Sequence, residues 1–534
     1  LWGIEMKAPD ARTALQNLAS ELTTARRVQA QVAALPEGAR AALTSPAAEQ
    51  GKLPWALFTR RFGAVREMGV GRRDRERPYQ NPISAAEDLV YRGLIGRAFF
   101  DSAAGPQEFA YIPSDLLELL PPGESRPAPV LGRPALPAER SQVQPADDHL
   151  LDAACTYLAA VRTGASPETW EALSDEWRGA RTPLSDRTLA ALLQAAGLLD
   201  EQGQPEAEAV RAFLEAGRSQ ALFQLASSWL KSPTFDELSL MPGLEIEGSL
   251  NHDPLRTRQL VVYFLSLAPA GAWWSLSAFV AAVKERFPDF QRPAGDYDSW
   301  FIRPTGERDF LRGFQHWDRV DGALLYFLLS GLMHWLGLVD LSFSEKGGPP
   351  TAFRLTSGYT ALMAGRPPDK GSEENARLQV SSDGRLRAPR GTPRAVRYQV
   401  ARFADWEEKK GDDYLYRITP ASLEKARAQG LRTSHLLSLL RRSAGVLPPS
   451  FVRALERWEA RGAEARLERV TVLRLSSPEL LKALRSSRAG RFLGDPLGPS
   501  VVVVKPGAWK KVLAVLTEMG YLGEVRDLEE KETP

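Results

Sequence analysis

This sequence predicts a mainly α-helical fold with small β-ribbons, divided among several domains. Apolar residues recur at helical spacing through most of the chain. An order of three helices followed by a two-stranded ribbon occurs twice. The 534 residues also exceed what one core holds, at roughly 100–200 residues per domain.

Leu15, Leu18 and Leu22 place an amphipathic helix near the start. Next come a helix from Pro36 to Leu43, the extended piece Lys52-Leu53-Pro54, and a helix through Trp55, Leu57, Phe58 and Phe62. A third helix opens at Ser84, with Glu87 in the capping-box position, and runs to about Arg92. Arg97–Asp101 and Glu108–Ile112 then read as a hairpin around Ser102–Gln107. This is the winged-helix order. It recurs with helices at Thr257–Leu267, Ser275–Phe287 and Asp318–Trp335, and a ribbon of residues 337–341 and 352–356 around Gly347-Gly348-Pro349-Pro350. A weaker copy at residues 148–215 lacks a convincing ribbon.

The C-terminal part reads as α/β. Asp383-Gly384 is a hairpin dipeptide between Leu378–Val380 and Leu386. Helices are expected at Val396–Glu408, Ser422–Gln429, His435–Arg442, Pro449–Arg461, Ser477–Leu484 and Trp509–Met519. Strands are expected at Arg469–Leu475 and, as a buried strand, at Val501–Val504. The expected organisation is a helix plus winged helix at 1–120, a Pro-rich linker at 121–147 and a helical, degenerate winged-helix domain at 148–250. A winged helix with an aromatic insertion at 251–364, a linker at 365–376, a basic α/β domain at 377–525 and an acidic tail at 526–534 complete it.

The net charge is only +2, but it is unevenly spread. Residues 377–525 hold 28 Lys and Arg against 15 Asp and Glu, a net of +13; the remainder holds 40 against 51, a net of −11. Such asymmetry points to a polyanion-binding end. The alternative is two halves that simply attract each other. Cys155 is the lone cysteine, which excludes an intrachain disulfide and a CxxC knuckle. With no apolar run near 18 residues and no signal pattern at Leu1–Ala11, a cytoplasmic, nucleoid-associated protein without membrane contact is expected.

Residues for catalysis are missing from the sequence. No GxxxxGK[ST], GxGxxG after a strand, HExxH or GxSxG occurs. The five histidines are far apart, and Asp147-Asp148 and Asp412-Asp413 read as solvated pairs. No enzymatic activity, catalytic residue, cofactor or metal is expected.

Arginine carries the binding signal. Arg385, Arg387, Arg390, Arg394, Arg397 and Arg402 follow one another without an intervening acid. Guanidinium groups fork onto phosphate oxygens and release counterions. Arg485, Arg488 and Arg491 form a second cluster, and Arg66, Arg72, Arg73, Arg75 and Arg77 a basic loop ahead of the Ser84 helix. That helix carries Glu87 and Asp88 at its start, so base reading by it is not expected. In the insertion 288–317, Trp300 and Phe301 are candidates for stacking on unpaired bases.

The run Val396–Glu407, then Tyr416-Arg417-Ile418-Thr419-Pro420-Ala421-Ser422-Leu423 to Gly430-Leu431, resembles the helicase-associated domain that precedes the motor in XPB repair helicases. Leu447-Pro448-Pro449 to Trp458 and Leu467–Leu484 continue the pattern. The upstream layout is similar to motor-less bacterial proteins carrying this domain, and to the TFIIH subunit that docks on XPB. The resemblance implies a DNA-contacting or helicase-docking role in repair or transcription. The expected function is therefore a DNA-binding accessory protein holding the phosphate backbone through 377–525. Its rivals are a scaffold that docks on and regulates a separate XPB-type helicase, and a winged-helix transcription regulator. Oligomeric state is not legible.

Overall fold

The computed structural model describes residues 1–4, 8–48, 51–102, 105–120, 130–292, 295–368, 373–407, 409–465 and 469–526. The architecture is mainly helical with small antiparallel sheets. The chain divides into two compact units, residues 1–452 and 453–534, so the expected 377–525 segment is cut by the division.

In the first unit, helices Glu37–Ala48, Trp55–Phe62 and Ala85–Tyr91 enclose Ala42, Leu57, Phe58 and Leu89 with the inward Leu53 and Ala110. Ser84 caps the third helix by accepting the Glu87 amide, as its sequence position suggests. The hairpin Gly96–Ser102 with Gly105–Tyr111 is completed by Lys52–Pro54, which pairs antiparallel with the second of its strands. Residues 70–76, expected as loop, form a helix in which Arg72 and Glu76 make an i,i+4 ion pair.

The same element order follows from Asp253, whose side chain caps Pro254–Ser266. Strand Trp274–Ser275, helix Leu276–Arg286, a helical run Asp318–Trp335 with two π-helical stretches, and strands Val339–Phe343 and Pro350–Leu355 complete it. Its sheet has the order 142–144, 339–343, 350–355, 274–275. Gln142–Gln144 lies in the segment read as linker, so that reading is corrected. An edge strand needs a partner on only one side and tolerates the prolines around it. Leu131 is fully buried nearby and accepts the Trp274 indole N–H at 2.6 Å. Residues 121–129 lie outside the described residues.

Glu139 fastens this stretch. It takes two bonds from Arg133 at 2.7 and 2.9 Å, the Leu136 amide at 2.7 Å and the Ser275 hydroxyl at 2.8 Å. Arg133 chiefly pulls its carboxyl down to about 2. A depressed carboxylate contributes stability above its unfolded pKa, which is lost as pH falls from there through the folded value. Amide exchange in residues 131–145, taken relative to the unprotected rate at each pH, should therefore accelerate between pH 4.5 and pH 2. In Glu139→Gln it should already be fast at pH 6; a wild-type rate there would count against the clamp.

Between these parts, His149–Thr163 is buried on every side from Leu150 to Ala160. Its alanines permit close approach, and helix Arg394–Ala401 packs on it. Sequence-distant ends of the unit thus meet at its centre. The sheet beside them runs 379–380, 385–388, 414–417, 405–406, with Gly384 at φ +84° in the expected turn. Helix 394–401 ends earlier than expected, and Asp405–Trp406 is a strand.

The second unit has a sheet in the order 471–474, 501–504, 493–498, with helices Pro478–Ser486 and Trp509–Glu518. Leu484, Leu493, Val502, Val504, Val512 and Leu516 form its core. The strand expected as buried is buried on one face only: Val501 and Val503 alternate with the buried Val502 and Val504 and stay half-exposed.

Candidate nucleic-acid interface

The six arginines of 385–402 separate into groups by backbone geometry. Strand Arg385–Ala388 alternates, so Leu386 and Ala388 are buried while Arg385 and Arg387 remain 56% and 53% exposed. Arg385 reaches Glu407 and Arg387 pairs with Asp413. Beyond the strand the pattern reverses. Arg394, Arg397, Tyr398 and Ala401 are spaced i, i+3, i+4, i+7 on the buried face of their helix.

Asp152 of the central helix is the hub that receives them. It accepts from Arg397 at 2.8 Å, Arg218 at 2.7 Å and Arg390 at 3.0 Å, with its side chain fully buried. Asp148 pairs with Arg218 and Arg390, and Glu374 with Arg218 and Arg394. Arg397 also lies over the Tyr414 ring. Burial opposes ionisation of Asp152, yet Arg397, Arg218 and Arg390 together hold its carboxyl below the usual range. Arg394 and Arg397 present no open face to phosphate, and Arg390 is largely consumed. The idea that all the tail's positive charge faces outward is corrected here, and the attraction between halves accounts for part of it. Glu374 sits in the stretch read as a linker and is part of the hub. Arg402 is half-buried, donating to Gln399 at 3.2 Å.

In the N-terminal part, Arg66 is drawn inward. Its guanidinium forks onto the buried Glu87 carboxylate at 2.9 and 2.7 Å, and Glu87 also accepts the Ile83 and Arg66 amides. Burial resists the charge on Glu87, and Arg66 leads the groups that keep it ionised. Asp88 is likewise buried and paired with Arg92. Arg72, Arg73, Arg75 and Arg77 remain exposed on or beside helix Val70–Glu76.

The stacking candidates separate too. Trp300 is 2% exposed, beneath Arg292, and is unavailable to a base. Phe301 is 42% exposed with Arg312 over its ring at 4.3 Å. Most aromatic residues of the insertion hold it in place. Trp317 donates to the Pro288 carbonyl, while Phe314 lies against Arg60, which bonds Asp289 at 3.1 Å.

In the second unit Arg485, Arg488 and Arg491 are all exposed, and Arg488 pairs with Glu518. Among the described residues no carboxylate lies within ion-pair distance of Arg485 or Arg491. Sequence reasoning overlooked Lys505 and Lys511, which the fold brings beside Arg491. The run Lys505-Pro-Gly-Ala-Trp-Lys-Lys was the available signal. Among the described residues, no group of three or more His, Cys, Asp and Glu is placed to hold a metal, and no helix is long and apolar enough to cross a membrane.

Residues 378–494, which contain both arginine clusters, match the family described as helicase conserved C-terminal domain. This stretch is helicase-related. The chain is also similar to an XPB helicase: it is 31% identical over 155 residues to the DNA 3'-5' helicase XPB of Kineococcus radiotolerans. That match covers 28% of this chain and 28% of the relative's length. Since the relative is a helicase, the likeness lends no support to the expected lack of enzymatic activity.

Proposed function

We propose that this chain is a DNA-binding accessory protein of DNA repair or transcription, without a motor of its own. The phosphate backbone is held by the exposed members of the C-terminal basic set: Arg385 and Arg387 in the first unit, Arg485, Arg488 and Arg491 in the second. The two helix–ribbon segments upstream are winged-helix modules that orient the contact. One observation carries the reading. Arg485 and Arg491 stand exposed with no carboxylate partner among the described residues, inside the stretch that matches a helicase domain. Unpaired guanidinium groups on a protein surface are suited to phosphate.

A second reading, docking on a separate XPB-type helicase, is favoured by the first module. Its third helix directs Glu87 and Asp88 inward and keeps neither a base-reading side chain nor an open cation at its start. That leaves its outer face for protein contact. A gel-shift titration separates the readings. Binding to a 30-base-pair duplex should weaken by about a hundredfold between 50 and 200 mM salt, as several released counterions require. Absence of binding at 50 mM, with tight capture of an XPB-type helicase, would overturn the first reading in favour of the second.

A further inference from the structure

We infer that the second unit carries a discrete phosphate subsite for one nucleic-acid strand, formed by Arg491, Lys505 and Lys511 around Phe492. The inference rests on the DNA-binding reading and locates it. Arg491 and Lys511 lie 4.7 and 5.4 Å from the Phe492 ring centroid, so their charges are at most about 10 Å apart. Lys505 donates its ammonium to the Arg491 carbonyl at 2.9 Å, which holds it at the same turn. All three are exposed, and none has a carboxylate within ion-pair distance among the described residues.

The support beneath them is rigid. Phe492 packs on the unit's apolar core, and its carbonyl accepts the Lys505 amide at 2.9 Å, joining the turn 490–492 to the end of strand 501–504. A side chain at Gly490 would run into the Arg485 carbonyl, so glycine is what lets this turn close. Helix Trp509–Glu518 then supplies Lys511 from its first turn, where no acidic residue stands.

Stability alone does not explain this arrangement. A cation in the first turn of a helix opposes the helix dipole, and three uncompensated like charges repel one another. Residues 469–526 contain ten Lys and Arg against four Asp and Glu, a net of +6, so the surrounding charge does not relieve them. A clustered positive potential of this kind is what a polyanion neutralises. Along one strand of a duplex a phosphate recurs about every 3.4 Å of axis. Arg491 and Lys511, at most about 10 Å apart, can therefore face neighbouring phosphates of one strand, more than a free anion would use.

The test uses the full chain and a fluorescein-labelled 20-nucleotide DNA, single-stranded and as duplex, read by anisotropy from 50 to 200 mM salt. Arg491→Gln/Lys505→Gln/Lys511→Gln should bind about tenfold or more weakly, with a log–log salt slope shallower by about two to three. Its melting temperature should stay level or rise. The comparison variant Arg469→Gln/Arg474→Gln removes two charges from the same unit and should change affinity less than threefold. Equal losses in both variants would overturn the subsite, because net charge would then suffice. An unchanged triple variant beside a DNA-binding wild type would also overturn it, while the DNA-binding reading would survive. A wild type that binds no DNA would remove both.

Discussion

Asp152→Asn should destabilise the first unit by about 3–5 kcal/mol, the usual cost of stranding buried charge. The wild-type carboxylate serves Arg218, Arg390 and Arg397 at once, and its side chain has no solvent contact. An amide of the same shape keeps the volume but is neutral and supplies one acceptor; Arg218 and Arg390 keep Asp148, while Arg397 is left buried without a carboxylate. Urea unfolding followed by near-ultraviolet circular dichroism should show an earlier first transition. Arg397→Met should be milder, because it removes one charge from a network that retains two other arginines on Asp152. Equal midpoints for wild type and Asp152→Asn would show that the hub is structurally idle.

Arg385→Gln/Arg387→Gln should lower DNA affinity by about tenfold or more at 50 mM salt and flatten its salt dependence by about two. Unfolding should hardly change. Both side chains are more than half exposed, and their pairs with Glu407 and Asp413 are of the kind worth about 0–1 kcal/mol. Arg390→Gln/Arg394→Gln should do the reverse, shifting the unfolding transition first and affecting DNA only through the fold. Anisotropy and thermal melting on both variants decide the matter. If the Arg390/Arg394 variant loses affinity while melting normally, the division into outward and inward arginines is mistaken.

That division marks where the sequence stops being readable. Local signals carried well: Ser84 and Ser477 cap helices, Asp383-Gly384 turns a hairpin, and the alternating strand 385–388 places two arginines outward. Arg397 reads as surface because its carboxylate, Asp152, lies 245 positions upstream, and Arg394 because Glu374 falls in a stretch read as linker. Nothing near them in the chain announces a buried carboxylate. A usable clue lay at the other end. Asp152 interrupts a helix otherwise rich in alanine and leucine, and a carboxylate inside apolar packing requires a partner. The edge strand Gln142–Gln144 was hidden for the same reason, since its pairing with residues 341–343 is set far along the chain. Lys505 and Lys511 are separated by one turn and are joined only when the strand and helix close on Phe492.

The hub also bears on how this protein can be dissected. Helix 394–401 and helix 149–163 each use the other to cover charge as well as apolar surface. A fragment cut at residue 377 would expose Arg394 and Arg397 together with the greasy side of their helix, and a fragment ending there would leave Asp152 with Arg218 alone. Neither piece is a portable cassette, so swapping the helicase-like portion between proteins requires carrying the upstream acidic helix along with it.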